Sequence, residues 1–315
     1  MRSRFLIGVV AALVGVAAPA SGCDLCSVYA ALEARESSPG LYAALFEQYT
    51  DFGTLRLDGD QVANDDRQSL RSSLTQVVVG YQLNRRFGIQ ANLPLIDRSF
   101  RRPEGETIER GSVSGLGDAT VLAHYRAVES YVGDTTVVWS FLGGVKLPTG
   151  DSARLAEEAA EDDQGEASGV HGHDLALGSG SVDGLVGTSG FFRWRRWLLN
   201  VEAQYALRRH GDHDYRYADD LIWSVAPGYF VFLDEGRSLS LTLAVSGERK
   251  GEDRFAGAAA EDTAIRAVYA GPALAYASGQ RLYAQLAVDL PVEQHNSALQ
   301  IVPDWRLCCG LTWRW

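Results

Sequence analysis

Basic charge is in short supply in this 315-residue chain: Lys and Arg total 29 against 40 Asp and Glu, a formal net charge of -11. Nucleic-acid binding concentrates Lys and Arg on one surface, so no nucleic-acid partner is expected. Long apolar runs are equally scarce. One spans residues 5–18, and no other stretch reaches the roughly 18 residues that a spanning helix needs. The chain after it is therefore either soluble or a barrel. Cysteine is limited to Cys23, Cys26, Cys308 and Cys309. One C-x-x-C lacks the second pair or the histidines of a zinc site. No His follows Cys26, so the haem-attachment pattern is missing. No G-x-S-x-G elbow occurs, because Gly178-Ser179-Gly180-Ser181-Val182 fails at its last position. A membrane hydrolase would also need a Ser or Thr beside a His on a lipid-facing rim. His124, expected to point inward, has no such partner. No enzyme activity and no cofactor are expected.

The N-terminus reads as an export signal. Arg2 and Arg4 precede the apolar run, and Ala18-Pro19-Ala20 supplies a small-x-small cleavage pattern, so residues 1–20 are a signal peptide. Ala20-Ser21-Gly22-Cys23 also looks like a weak lipoprotein box, which leaves lipidation of Cys23 open. Residues 21–40 then form a periplasmic segment. A Cys23–Cys26 disulfide is plausible there in an oxidising compartment, with redox or metal roles as alternatives. Cys308 and Cys309 are adjacent and point to opposite faces, so a bridge between them would be strained.

What the chain has in quantity is alternation. Ile301, Pro303, Trp305, Leu307, Cys309, Leu311, Trp313 and Trp315 fall on one face of the last segment, and Val302, Asp304, Arg306, Cys308, Gly310, Thr312 and Arg314 on the other. Twelve such segments recur, near 41–56, 69–83, 87–100, 116–127, 135–148, 179–193, 196–209, 220–233, 238–249, 263–277, 281–293 and 301–315. Tight turns alternate with longer acidic or glycine-rich loops near 57–68, 101–115, 149–178, 210–219, 250–262 and 294–300. Aromatic residues cluster at segment ends, as in interfacial girdles. Short turns on one side and long loops on the other are the mark of an outer-membrane barrel. Residues 41–315 are therefore read as an all-β, transmembrane, antiparallel up-and-down β-barrel of about twelve strands. Its long loops should face the cell exterior.

Three glycine-rich pieces stand out: GLGD at 115–118, G-x-K-L-P-T-G at 144–150 and GSGS-x-D at 178–183. Their glycines allow bulges or close backbone approach. On these pieces the chain resembles a family of bacterial outer-membrane transporters of the phenol meta-degradation pathway type. The resemblance spans roughly residues 111–190 and the strand pattern around them. It implies a barrel that helps small, often hydrophobic or aromatic, solutes cross the outer membrane, and it carries no catalytic residues. The CDLCSVY start lies outside the pattern.

The candidate lumen residues are Asp118, His124, Arg126, Lys146, Glu202, Arg208, Asp289 and Arg306. Asp118 and Lys146 belong to neighbouring strands and could satisfy each other as an ion pair. His171, His173, His210 and His213 fall in two long loops, where imidazoles and carboxylates together could hold zinc, copper or nickel. The expected function is transport or channel-like uptake of a small solute. The rival is a structural sheath or docking barrel, with the C-x-x-C segment engaging a periplasmic redox or export component. Outer-membrane lipid and the barrel-assembly machinery are the other expected partners.

Overall fold

The computed structural model describes residues 39–105, 107–158 and 168–315. The expected signal peptide and residues 21–38, with Cys23 and Cys26, lie outside them. Twelve antiparallel strands form one barrel. They are β1 Gly40–Leu57, β2 Ser69–Gln82, β3 Phe87–Glu104, β4 Thr107–Leu116 continued by Thr120–Val132, β5 Thr135–Lys146, β6 Asp183–Trp194, β7 Trp197–Leu207, β8 Asp220–Leu233, β9 Arg237–Lys250, β10 Ile265–Ser278, β11 Leu282–Asn296 and β12 Leu299–Arg314. Each pairs with its sequence neighbours, and β1 pairs with β12 from Tyr42–Arg314 to Leu57–Leu299. Closure satisfies the backbone polar groups that lipid cannot.

The burial pattern is the reverse of a soluble domain. Leu45, Val79, Ile89, Val121, Phe141 and Leu243 are exposed, whereas Gln76, Gln90, Asn92, Ser140 and Gln204 are buried. Apolar residues facing out and polar residues facing in suit a wall surrounded by acyl chains. Glu47 breaks the outer band, sharing the outward parity of Leu45 on β1. Its carboxylate accepts hydrogen bonds from Ser73 Oγ, at 2.5 Å, and from Thr75 Oγ1.

Connections at one end are short, at 83–86, 133–134, 195–196, 234–236 and 279–281, and Gly40 and Arg314 lie at that end too. The other end carries the long connections 58–68, 147–182, 208–219 and 251–264. Two segments expected as long loops, 101–115 and 294–300, are instead mostly strand. β3 and β4 stay paired out to Glu104–Thr107, and β11 and β12 are joined by residues 297–298 alone. Beyond the lipid a hairpin needs no apolar outer face. Its charged residues, such as the cross-strand pair Arg102–Glu109 at 2.8 Å, therefore escape an alternation count.

The last strand also departs from its expected faces. The β1–β12 register shifts between Asp51, Phe52 and Thr54, opposite Trp305, Pro303 and Val302. This bulge changes the phase of alternation. Leu311, Trp313 and Trp315 stay outward, but Ile301 and Pro303 line the interior.

Below the mouth, side chains fill the lumen. Tyr42, Ala44, Phe46 and Val78 form one buried cluster, and Leu122, Leu142, Leu185 and Ala206 another. Tyr42 donates to Gln90 Oε1 at 3.0 Å, lying across Gly80, where a Cβ would meet its ring at 2.1 Å. At the opposite end, the 168–182 part of the 147–182 connection turns back into the barrel mouth. Its Val170 and Leu175 are fully buried against Leu70, Phe100 and Ile301. Gly169 N–H donates to Gln68 Oε1 at 2.7 Å, and Ile301 N–H donates to the Gly169 carbonyl at 2.8 Å. A single helical turn, α1 Gly172–Leu175, sits in this plug.

Candidate functional site

The three glycine-rich pieces meet at the top of the lumen. β3 advances three residues, from Asn92 to Leu95, while β4 advances four, from Leu116 to Thr120. The extra residue makes a bulge at 117–119, and the bulge delivers Asp118 to the interior. Thr149 clamps it: its Oγ1 accepts from Ala119 N–H at 2.8 Å and donates to the Gly117 carbonyl at 2.9 Å. Gly150 N–H donates to Asp118 Oδ1 at 3.0 Å, and Ser179 N–H and Oγ donate to Oδ2 at 2.9 and 2.8 Å. Gly150 and Gly178 cross so closely that a Cβ on Gly178 would lie 2.5 Å from the Gly150 carbonyl carbon. Close backbone approach therefore accounts for both glycines.

The clamp positions a chain of buried charges. Lys146 Nζ lies 2.5 Å from Asp118 Oδ2 and 2.9 Å from Asp183 Oδ2, and it also hydrogen-bonds Ser179 Oγ. Asp183 accepts from Ser181 Oγ at 2.8 Å, from Arg209 N–H at 2.9 Å and from Arg208 at 3.1 Å. Arg208 reaches on to Asp220 Oδ2 at 2.5 Å. None of these charged side chains is more than 15% exposed. Burying charges is costly unless pairing and hydrogen bonds offset the lost hydration. Here the extra donors to Asp118 and Asp183 supply that offset. Three carboxylates against two cations leave one net negative charge.

The chain has only two lysines, and the second is built in the same way. Lys250, at the end of β9, lies 2.5 Å from Asp253 Oδ2, which also accepts from Tyr215 OH at 2.6 Å. A third group joins Arg306 to Glu248 at 2.8 Å, with Tyr269 OH donating to Glu248 at 2.8 Å and the Arg306 guanidinium 4.0 Å from the Tyr269 ring centre. Asp289 stands opposite Arg306 in the strand register. A cavity of about 350 Å³ lies among these groups, beneath the plug.

The other expected lumen residues lie elsewhere. His124 is buried in the short-turn half, where its Nε2 faces Gln82 Oε1 at 2.9 Å, and Arg126 is 3.7 Å from Glu129. Glu202 is buried on the lumen face of β7, two residues before Gln204. Asp118, Lys146, Arg208 and Arg306 thus share the cavity, whereas His124, Arg126, Glu202 and Asp289 do not line it. Sequence reasoning passed over Asp220, Glu248, Lys250 and the Ser179 and Ser181 hydroxyls. Asp220 leads the inward parity that continues with Ile222, which was the available signal.

The loop histidines separate. His171 and His173 stack with ring centres 5.3 Å apart, inside the plug. His210 and His213 are exposed on another loop and do not join them. Burial favours a neutral His173 ring, but Asp174 and Glu158 outweigh it and push its pKa up to about 10. Burial opposes ionisation of Glu158 too, yet His173 holds its pKa below the usual carboxylate range.

No protein-family model and no curated protein sequence matches the chain. Among solved structures, an outer membrane channel from Pseudomonas putida F1 is similar at a TM-score of 0.65, covering 88% of this chain and 96% of that one at 16% identity. A FadL homologue from Pseudomonas aeruginosa aligns at a TM-score of 0.36 and 11% identity, over 87% of this chain and 90% of that one. The β domain of the Bordetella autotransporter BrkA aligns at 0.44 and 11%, over 88% and 100%. Fold and lining define the class: a closed twelve-stranded outer-membrane β-barrel with an apolar outer face and a polar, partly filled lumen. The shared barrel agrees with the motif resemblance to the phenol-pathway type of outer-membrane transporter.

Proposed function

We propose that this barrel passes small solutes across the outer membrane through the charged mouth of its lumen, with the 147–182 connection as the gate. The observation that carries this reading is the cavity. Leu74, Ile96, Leu177 and Ile301 line it together with Lys146, Arg208, Asp220 and Arg306. An apolar surface with a few convergent polar groups is what a small-molecule site requires. At about 350 Å³ it suits a compact solute with an apolar, ring-sized body and one polar or charged group. The fold of the Pseudomonas putida channel supports the same reading.

Liposome swelling tests it. Purified barrel should raise the flux of small hydroxylated or carboxylated aromatic compounds above that of empty vesicles, and deleting residues 168–176 should raise it further. A barrel that leaks nothing in either form would instead favour the docking role, with residues 21–38 engaging a periplasmic partner.

A further inference from the structure

The plug carries two buried imidazoles, His171 and His173, and His173 borders the cavity together with Asp174. His171 and His173 are each 7% exposed and stack at an interplanar angle of 11°. Both turn one ring nitrogen toward the same carboxylate: His171 Nδ1 is 3.8 Å from Asp174 Oδ2, and His173 Nε2 is 3.6 Å from Asp174 Oδ1. One ligand atom from each of the three residues lies within 4.8 Å of the others. His171 Nδ1 is buried and has no hydrogen-bond partner. A solvent-excluded ring nitrogen aimed into such a group is costly to leave unsatisfied.

The remaining ring nitrogens are also held. His173 Nδ1 is 3.1 Å from Glu158 Oε1, and His171 Nε2 is 3.2 Å from Asp262 Oδ2. A ligating histidine that hands its second nitrogen to a carboxylate is the usual outer shell of a protein metal site. We propose that His171 Nδ1, His173 Nε2 and Asp174 bind a divalent transition-metal ion in the plug, oriented by Asp262 and Glu158. Two imidazoles and one carboxylate suit zinc, cobalt, nickel or copper, whereas calcium and magnesium take oxygen ligands. Ligand bonds near 2.0–2.2 Å put tetrahedral ligand atoms about 3.3–3.6 Å apart, so the 3.8 and 3.6 Å separations to Asp174 must close by a few tenths of an ångström and the two imidazole nitrogens, within 4.8 Å of each other, by up to about 1.5 Å. Glu158 lies on the other limb of the plug and Asp262 on the 251–264 connection, so a bound ion would tie both to α1. The exposed His210 and His213 have no part in this site.

The test uses the full chain, purified in detergent, stripped with EDTA and carrying Cys23→Ser and Cys26→Ser to remove the paired C-x-x-C thiols. Titration with Co2+ should give a saturable visible d–d absorption at one ion per chain, which Zn2+ then abolishes. His171→Gln and His173→Gln should each weaken binding at least about 100-fold, and Asp174→Asn should weaken it 10- to 100-fold. His210→Ala with His213→Ala should leave it unchanged. Lack of saturable binding below about 1 mM Co2+ in the unaltered plug would overturn the proposal without recourse to any plug variant. So would binding that survives His171→Gln and His173→Gln, or binding that disappears with His210→Ala and His213→Ala.

Discussion

The two halves of the lumen solve different problems with the same strands. Below the mouth, Tyr42 and Phe46 near the short turns and Leu122, Leu142 and Leu185 just beneath the charges fill the interior as a soluble core would. In the long-loop half, charged groups ring an open cavity: Lys146 with Asp118 and Asp183, Lys250 with Asp253, and Arg306 with Glu248. The difference separates stability from passage. Packing holds the first, and its buried charges, Arg126 and Glu202, do not line the cavity. Electrostatics holds the second, and the residues that brace it are those that line the cavity.

Lys146→Ala should be the most damaging single change. It leaves Asp118 and Asp183 buried without their shared cation, which costs on the order of 3–5 kcal/mol in the unfolding free energy. Urea unfolding in detergent, followed by heat-modifiable migration, reads it. Leu122→Ala sharpens the contrast. Its loss of about 3 kcal/mol is comparable, because Leu122 is 1% exposed among Leu142, Leu185 and Ala206. Ion selectivity should nonetheless stay as in the native barrel, whereas Lys146→Ala should change it. Lys250→Ala should cost less, about 2 kcal/mol, because Lys250 pairs with the single carboxylate of Asp253, which keeps its bonds from Tyr215 OH and Ala218 N–H, whereas Lys146 holds two. The same unfolding assay would contradict this ordering if Lys250→Ala proved the worse of the two lysine changes. Arg71→Ala removes an outer ion pair with Asp51 at 3.2 Å, but Arg71 is 64% exposed, so the change should stay under about 1 kcal/mol.

The wall was legible in the sequence and the mouth largely was not. Lipid imposes an apolar outer parity, and Phe87, Ile89, Leu93 and Leu95 show it plainly. Above the lipid that constraint lapses, so the β3–β4 hairpin and the β12 bulge left no trace in the alternation. The Asp118–Lys146 pair could be read from neighbouring strands. The rest of the chain of charges could not, because Asp183, Arg208 and Asp220 become neighbours through the pairing of β6, β7 and β8. An inward fold of the longest loop could be expected, but its anchors were equally hidden. Val170 and Leu175 are isolated apolar residues in a polar loop, and only their burial against Ile301 shows what they do.

Reversal potentials in a planar bilayer under a KCl gradient test the central claim that the charged mouth lies on the conduction path. With one net negative charge distributed along Asp118, Lys146, Asp183, Arg208 and Asp220, the native barrel should select weakly. Lys146→Ala should shift selectivity toward cations and Asp118→Ala toward anions. Shifts of opposite sign would support the account. Shifts of the same sign, or unchanged potentials in both variants, would contradict it.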